Sequence, residues 1–323
     1  MTGASQLGLA YVGFPPPLTW VTAFTTWSIE APLVVVGLLY ALVLYLLAVR
    51  RVNAAHPASP VPPLRVAAWV AGLFVVFVAL DSAIDFYSDD LFSVHMVQHL
   101  LLTMIAAALL TMGAPITLLL RAATREQRRR WILPVLESRL VRFISHPAFA
   151  WVFFAAVMWV SHFSVLYELS LEHPLVHAGE HLLYLGSAYL FWAPVVGADP
   201  SPHRLSYPLR VGYVFAQAPL NSFLSLAITQ APDVLYPHYA NLHLPWGPGP
   251  LQDQHIAGGI MMTAGDLLLL AAILIVFLDW FRAEEVEGRR IDDVLAREQA
   301  ALARAAGPPA DPADRPPPGP GTP

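Results

Sequence analysis

The chain has 323 residues, of which 56% are hydrophobic and 13% charged, and its mean hydropathy is +0.55. Soluble domains carry about 25% charged residues, so this is a membrane composition. Cysteine and lysine are both absent, leaving 18 basic residues, all arginine, and a net charge of -5. A disulfide scaffold, thiolate metal sites, cysteine nucleophiles and a retinal-type Schiff base are thereby excluded, and a nucleic-acid-binding surface is not expected.

Residues 1–29 have no basic stretch, and Phe14–Trp27 is rich in proline and aromatic residues. This segment reads as an outer interfacial piece anchored by Trp20 and Trp27, rather than a cleaved signal peptide. Apolar runs follow at roughly Ala31–Val49, Val66–Ile84, Phe92–Leu120, Ala148–Tyr167, Leu175–Val196, Tyr207–Ala231 and His255–Phe281. Each approaches or exceeds the roughly 20 residues that cross a bilayer core. Between the third and fourth runs, Glu126–Phe143 alternates arginine with Trp131, Ile132, Leu136, Leu140 and Phe143, the pattern of an interfacial helix. After the seventh, Ala283–Ala306 reads as a charged helix and Gly307–Pro323 as a disordered proline-rich end.

Every arginine falls in alternate connections or in the tail, while Asp85, Asp89, Asp90, Glu168, Glu172, Asp233 and Asp253 occupy the others. The positive-inside rule then places the N-terminus outside and the C-terminus in the cytoplasm. The expected fold is an all-α polytopic bundle of seven transmembrane helices. Residues 1–29 form its outer segment, 30–281 the membrane domain and 282–323 the cytoplasmic tail.

The 12 histidines sort by side. His56, His146 and His203 lie with the arginines; His95, His99, His162, His173, His177, His181, His238, His243 and His255 lie at the opposite end. His95 and His99 share one helix face, as do His177 and His181. His162 closes the fourth run, and Met96, Met104, Met158 and Met262 are near these residues in sequence. Two such pairs at one depth can offer four imidazoles to one ion. Imidazole suits copper, zinc, iron or nickel, and thioether sulfur shifts the choice toward Cu(I). Isolated members such as His173 and His243 read as interfacial side chains bonded to loop backbone, and single methionines as packing.

Other chemistry competes for the same residues. The segment from His177 through Glu180 to His181 matches the inverted zinc-hydrolase signature H-x-x-E-H, but it opens a membrane span with no catalytic domain around it. Glu180 there reads better as a carboxylate that orients an imidazole or itself binds the ion. Histidines on facing helices also permit a bis-histidine b-type haem in electron transfer. A third alternative is an ion transporter using Asp266, with Gln217 and Asn221 beside Pro219.

Three stretches carry a family resemblance: Phe92–Leu102 with Met112–Pro115, Leu171–His181 with Phe191–Pro194, and Leu251–Gly258 with Ile260 and Met261. In this order and spacing they resemble the multi-span CtaG family of cytochrome c oxidase assembly factors. The family's characteristic positions correspond to His95, Met96, Gln98, His99, His177, Glu180, His181, Asp253 and Gln254. His162 sits where the family often has a histidine, whereas His255 departs from its pattern. The resemblance implies a non-enzymatic, multi-pass plasma-membrane protein that aids delivery of copper to a haem–copper oxidase. Its implied partners are oxidase subunits and other copper chaperones. The expected ligands are His95, His99, His177 and His181, with Met96 and His162 assisting and Glu180, Asp253, Gln254 and Gln98 around them.

Overall fold

The structure, a computed structural model, describes residues 14–27 and 32–305. The expected disordered end beyond residue 305, and most of the outer segment before residue 14, lie outside these residues. Everything described is helix or connection, with no strand among the described residues. Two units can be separated, Met1–Leu274 and Ile275–Pro323.

In the first unit a short helix α1 (Trp20–Thr25) precedes α2 (Pro32–Ala55) and α3 (Pro63–Leu80). The segment before α1 is tied down by two side chains distant in sequence. Trp246 Nε1 donates to the Pro15 carbonyl at 2.7 Å, and the Tyr87 hydroxyl donates to that of Pro16 at 3.0 Å. Trp20 is 86% exposed. The second apolar run stops sooner than expected. Ser82 caps a separate helix α4 (Ala83–Ser88) by accepting from the Ile84 N–H, which ends the run at Leu80.

The third run is built in pieces: α5 (Phe92–Leu100), a π-helical turn over Leu101–Ala106, α6 (Ala107–Met112) and α7 (Pro115–Ala122). The wide turn leaves the Thr103 carbonyl available, and Trp192 Nε1 donates to it at 2.8 Å. The break before α7 comes from Pro115, which cannot continue the helix, and from Ala114 at φ 49°. Asp199 satisfies the new helix start, accepting from Ile116 N at 3.2 Å and Thr117 N at 2.6 Å. Gly113 permits this corner: a Cβ there would lie 2.9 Å from the Trp69 ring, and its carbonyl accepts from Tyr45 at 2.7 Å.

The expected interfacial helix is split. It forms α8 (Arg125–Gln127), a second π turn over Arg128–Ile132, α9 (Leu133–Leu136) and α10 (Arg139–Ile144). Pro134 and the Ser138 cap divide it, while Trp131, Val135, Leu140 and Phe143 remain exposed, the amphipathic character the sequence suggests. Next come α11 (Pro147–His162), α12 (Val165–Glu172), α13 (Pro174–Val196), α14 (Tyr207–Phe215), α15 (Gln217–Thr229), α16 (Pro237–Ala240) and α17 (Pro250–Ala305).

By length and composition, five helical stretches among the described residues are apolar enough to cross a membrane: Pro32–Ala55, Pro63–Leu80, Phe92–Ala122, Tyr207–Thr229 and Pro250–Leu302. There are six if α11 and α12, bent by 70° at their junction, count as one. The remaining long helix, α13, has 23 residues, but His177, Glu180 and His181 occupy its first turns. Buried small residues allow close packing without a water-driven hydrophobic effect. A Cβ on Gly72 of α3 would lie 2.9 Å from the Leu110 side chain on α6.

The second unit contains the end of α17, which extends to Ala305 and so includes the charged helix expected after Phe281. Exposed pairs Arg289–Glu285 at 2.6 Å and Arg282–Asp279 at 3.3 Å lie along it. Such pairs each support a helix by only a few tenths of a kcal/mol.

Candidate metal centre

The helix breaks described above determine where the histidines meet. α5 brings His95 and His99 inward one turn apart, just before the π turn widens the helix. α11 ends on His162, and the bend at Ser164 folds α12 back so that Tyr167 covers the imidazoles. α13 starts at Pro174 and presents His177, Glu180 and His181 within its first two turns. Five histidines from three helices thus converge.

Their ring centroids lie 4.3 Å apart for His95–His99, 4.2 Å for His177–His181 and 5.6 Å for His95–His177. His99 lies 6.2 Å from both His162 and His181. Ligand atoms of His95, His177 and Glu180 all fall within 4.8 Å of one another. His95, His99, His162, Glu180 and His181 are buried, and His177 is half-buried.

Hydrogen bonding defines which ring atoms are available. Nε2 of His95 and Nε2 of His99 are 2.8 Å apart, so one must be protonated and the other not. His162 Nδ1 lies 2.7 Å from the Met158 carbonyl and donates to it, which leaves its Nε2 as a lone-pair acceptor. That Nε2 has no partner, nor have Nδ1 of His99 and Nε2 of His177 and His181. Neither carboxylate oxygen of Glu180 has one; the facing hydroxyl of Ser170 donates to the Tyr167 carbonyl at 2.7 Å instead. Each orphaned buried polar group costs roughly 1–3 kcal/mol. The imidazole nitrogens and carboxylate oxygens among these orphans fit an ion of the kind such groups bind, and the Tyr167 hydroxyl beside them is also without a partner.

The other expected site residues sit elsewhere. Met96 is buried at the adjacent position of α5. Gln98 donates to the Ala79 carbonyl at 2.9 Å and to Asp85 at 2.7 Å, locking α5 to the end of α3 and to α4. Asp253 accepts from the Ser93 N–H at 3.2 Å and its hydroxyl at 2.5 Å, joining α17 to the start of α5. Gln254 accepts from Leu235 N at 2.7 Å and donates to the Asp233 carbonyl at 3.2 Å, holding the loop before α16. These three bond to the scaffold and not to an imidazole. Of the remaining histidines at this end, His173, His243 and His255 are exposed and His238 is half-buried. His243 pairs with the Asn241 carbonyl at 3.1 Å, and His238 with that of Asp89 at 2.8 Å.

The sequence reading missed an aromatic enclosure of Tyr167, Tyr184, Tyr236, Tyr239 and Phe92. The Tyr184 ring centre is 4.3 Å from that of His99, and Tyr167 is 5.2 Å from His95. Tyr239 donates to the Ser88 carbonyl at 2.8 Å and lies 3.3 Å from His95 Nδ1. Tyr184 bonds to Ser161 and is 3.3 Å from His162 Nδ1. Only Tyr184 left a signal in the sequence: it follows His177 and His181 at seven and three residues, on the same helix face. Outside the candidate membrane spans, burial with Asp89 close by pushes the Asp90 carboxyl up to about 6, and burial raises Tyr236 and Tyr239.

Residues 43–283, which contain all of these histidines, match the profile described as cytochrome c oxidase caa3 assembly factor (Caa3_CtaG). The chain belongs to this family. It is also similar to uncharacterized proteins of Mycobacterium bovis and Mycobacterium tuberculosis, each 31% identical over 287 residues, covering 86% of this chain and 43% of the relative. An uncharacterized protein of Mycobacterium leprae is 29% identical over 281 residues, covering 84% of this chain and 42% of the relative. The chain therefore spans less than half the length of the curated relatives it matches. No solved structure matches it.

Proposed function

We propose that this assembly-factor chain binds copper as cargo at the five-histidine cluster and aids its delivery to a caa3-type cytochrome c oxidase. The observation that carries the reading is the set of unpartnered ligand atoms on His99, His162, His177, His181 and Glu180. A buried carboxylate without a partner is stable only when neutralised, by a proton or by a cation. In a chain without cysteine, neutral imidazoles beside that carboxylate are the available ligands for copper.

In this reading His95, His99, His177 and His181 hold the ion, with His162 completing the set and Met96 as an auxiliary thioether. Gln98, Asp253 and Gln254 fix the helices that present them. A carrier must release its metal, and half-buried His177 supplies the outward face through which release occurs. The role is non-catalytic. Seven spans, with α13 as the fifth, place the N-terminus outside and the site at the outer face of the cell membrane, following the arginine distribution. Oxidase subunits and other copper chaperones are the partners on that side.

Deleting the gene and measuring oxidase activity under limiting and added copper tests the function. The reading expects activity to be lost at limiting copper and restored by excess; normal assembly at limiting copper would contradict it. An optical spectrum of the purified protein separates the haem alternative, which requires a Soret band.

A further inference from the structure

A second cluster lies at the opposite, arginine-bearing end. There α10, α11 and the connection after α13 form a groove of about 620 Å³, lined by Arg139, Arg142, Phe143, His146, Phe149 and His203 among others. Arg139 and Arg142 are three residues apart on α10 and point to one side of it. The salt bridges among the described residues all lie between positions 279 and 290, so neither guanidinium is paired. His146 and His203 face each other with ring centroids 4.7 Å apart. Nδ1 of His146 accepts from the Ala148 N–H at 3.2 Å as the cap of α11, so the proton of its neutral ring sits on Nε2. The polar edge of the groove therefore holds two guanidiniums and the Nε2–H of His146, with the His203 ring beside it.

The rest of the groove is apolar. Phe143 packs on Phe149 at 4.6 Å, and Val152 extends the wall one turn further along α11. Phe143 and Val152 are 59% and 57% exposed, and Leu140 beside them 68%. A free anion has no use for such a wall, and a purely apolar ligand has no use for two unpaired guanidiniums. A phospholipid uses both: phosphate against the arginines and histidines at the helix end, acyl chain along α11 in the bilayer.

We propose that this groove is a binding site for one anionic phospholipid of the leaflet on the arginine-bearing side. Its phosphate is held by Arg139 and Arg142 with the Nε2–H of His146, and its chains lie on Phe143, Phe149 and Val152. The site fixes the orientation of α10 at the foot of α11.

Native mass spectrometry of the full-length detergent-purified protein tests this, using phosphatidylglycerol, phosphatidylcholine of matched chains and inorganic phosphate as probes. The parent protein is expected to retain one phosphatidylglycerol and not phosphatidylcholine. The R139Q/R142Q variant should lose that retention by about tenfold or more, whereas R128Q/R129Q, outside the groove, should keep it. Equal retention of both lipids by the parent would overturn the site. So would displacement of phosphatidylglycerol by equimolar inorganic phosphate, or an equal loss in both variants, which would mean unspecific attraction to basic charge. The parent-protein arms stand whether or not the R139Q/R142Q variant folds.

Discussion

Asp266 lies within α17 and accepts two hydrogen bonds from α15, from Asn221 Nδ2 at 2.9 Å and from the Ser222 hydroxyl at 2.6 Å. The geometry is that of a clamp between two helices. Asp266→Ala removes both bonds; the Ser222 hydroxyl can still turn to the Ala218 carbonyl at 3.0 Å, but one N–H of Asn221 Nδ2 loses its acceptor, the other staying on the Met261 carbonyl at 3.2 Å. The expected cost is therefore two interhelical bonds plus one orphaned donor, about 2–3 kcal/mol in all, below the roughly 3–5 kcal/mol of a broken buried ion pair. Asp266→Asn keeps an acceptor oxygen and should lose about half of that. Gly265→Ala should injure the same clamp from the other side, since a Cβ would lie 2.8 Å from Asn221 Nδ2. Denaturant-induced unfolding in mixed micelles, with an Asn221→Ala/Asp266→Ala double-mutant cycle, measures the coupling. A loss above about 4 kcal/mol, or no coupling between the two sites, would refute the clamp. Ion flux in liposomes abolished by Asp266→Asn at unchanged stability would favour a transport path instead.

Three further outcomes follow from the packing and charge. Trp192→Phe leaves the buried Thr103 carbonyl without its donor and should cost about 1–3 kcal/mol of stability in the same assay. Gly258→Ala would drive a Cβ onto Thr229 Oγ1 and to 2.9 Å from the Ser225 carbonyl, costing about 1–3 kcal/mol; Gly259→Ala, with nothing within 4 Å, should be neutral or slightly stabilising. For Asp90, the folded state holds the carboxyl at about 6, above the roughly 3.9 of an unfolded aspartate, so the folded state binds more protons between these values. Stability should fall as pH rises from about 4 to about 6, by about 1–2 kcal/mol after allowance for partial solvent exposure, and then level off. Asp90→Asn should flatten that slope in unfolding midpoints measured across the range.

The i, i+4 histidine pairs could be read from the sequence because helical spacing is local: His95 with His99 and His177 with His181 share a face whatever surrounds them. Convergence with His162 could not be read that way, since it depends on the bend between α11 and α12 and on the register of α13 against α5. The breaks themselves were partly visible. Pro115 announces the start of α7, but nothing local shows that Asp199, more than 80 residues away, caps it. Ser82 and Ser138 are ordinary cap residues that hydropathy averaging hides, so the second run was drawn too long and Glu126–Phe143 too continuous. Gln98, Asp253 and Gln254 were identified as site-associated through the family pattern, yet their hydrogen bonds run to backbone, to a neighbouring carboxylate and to a serine. Motif membership does not distinguish a side chain that meets an imidazole from one that holds the helix carrying it. The tyrosines went unnoticed because outer tyrosines are expected at a membrane interface, where they need no other reason.

The central claim is that the clustered imidazoles bind copper. Its most direct test is metal analysis of the purified protein after Cu(I) loading and desalting, comparing the parent with the His95→Ala/His99→Ala and His177→Ala/His181→Ala variants. The account predicts bound copper in the parent and its loss in both double variants, with unchanged retention after His243→Ala. Equal copper in the parent and the double variants would contradict it.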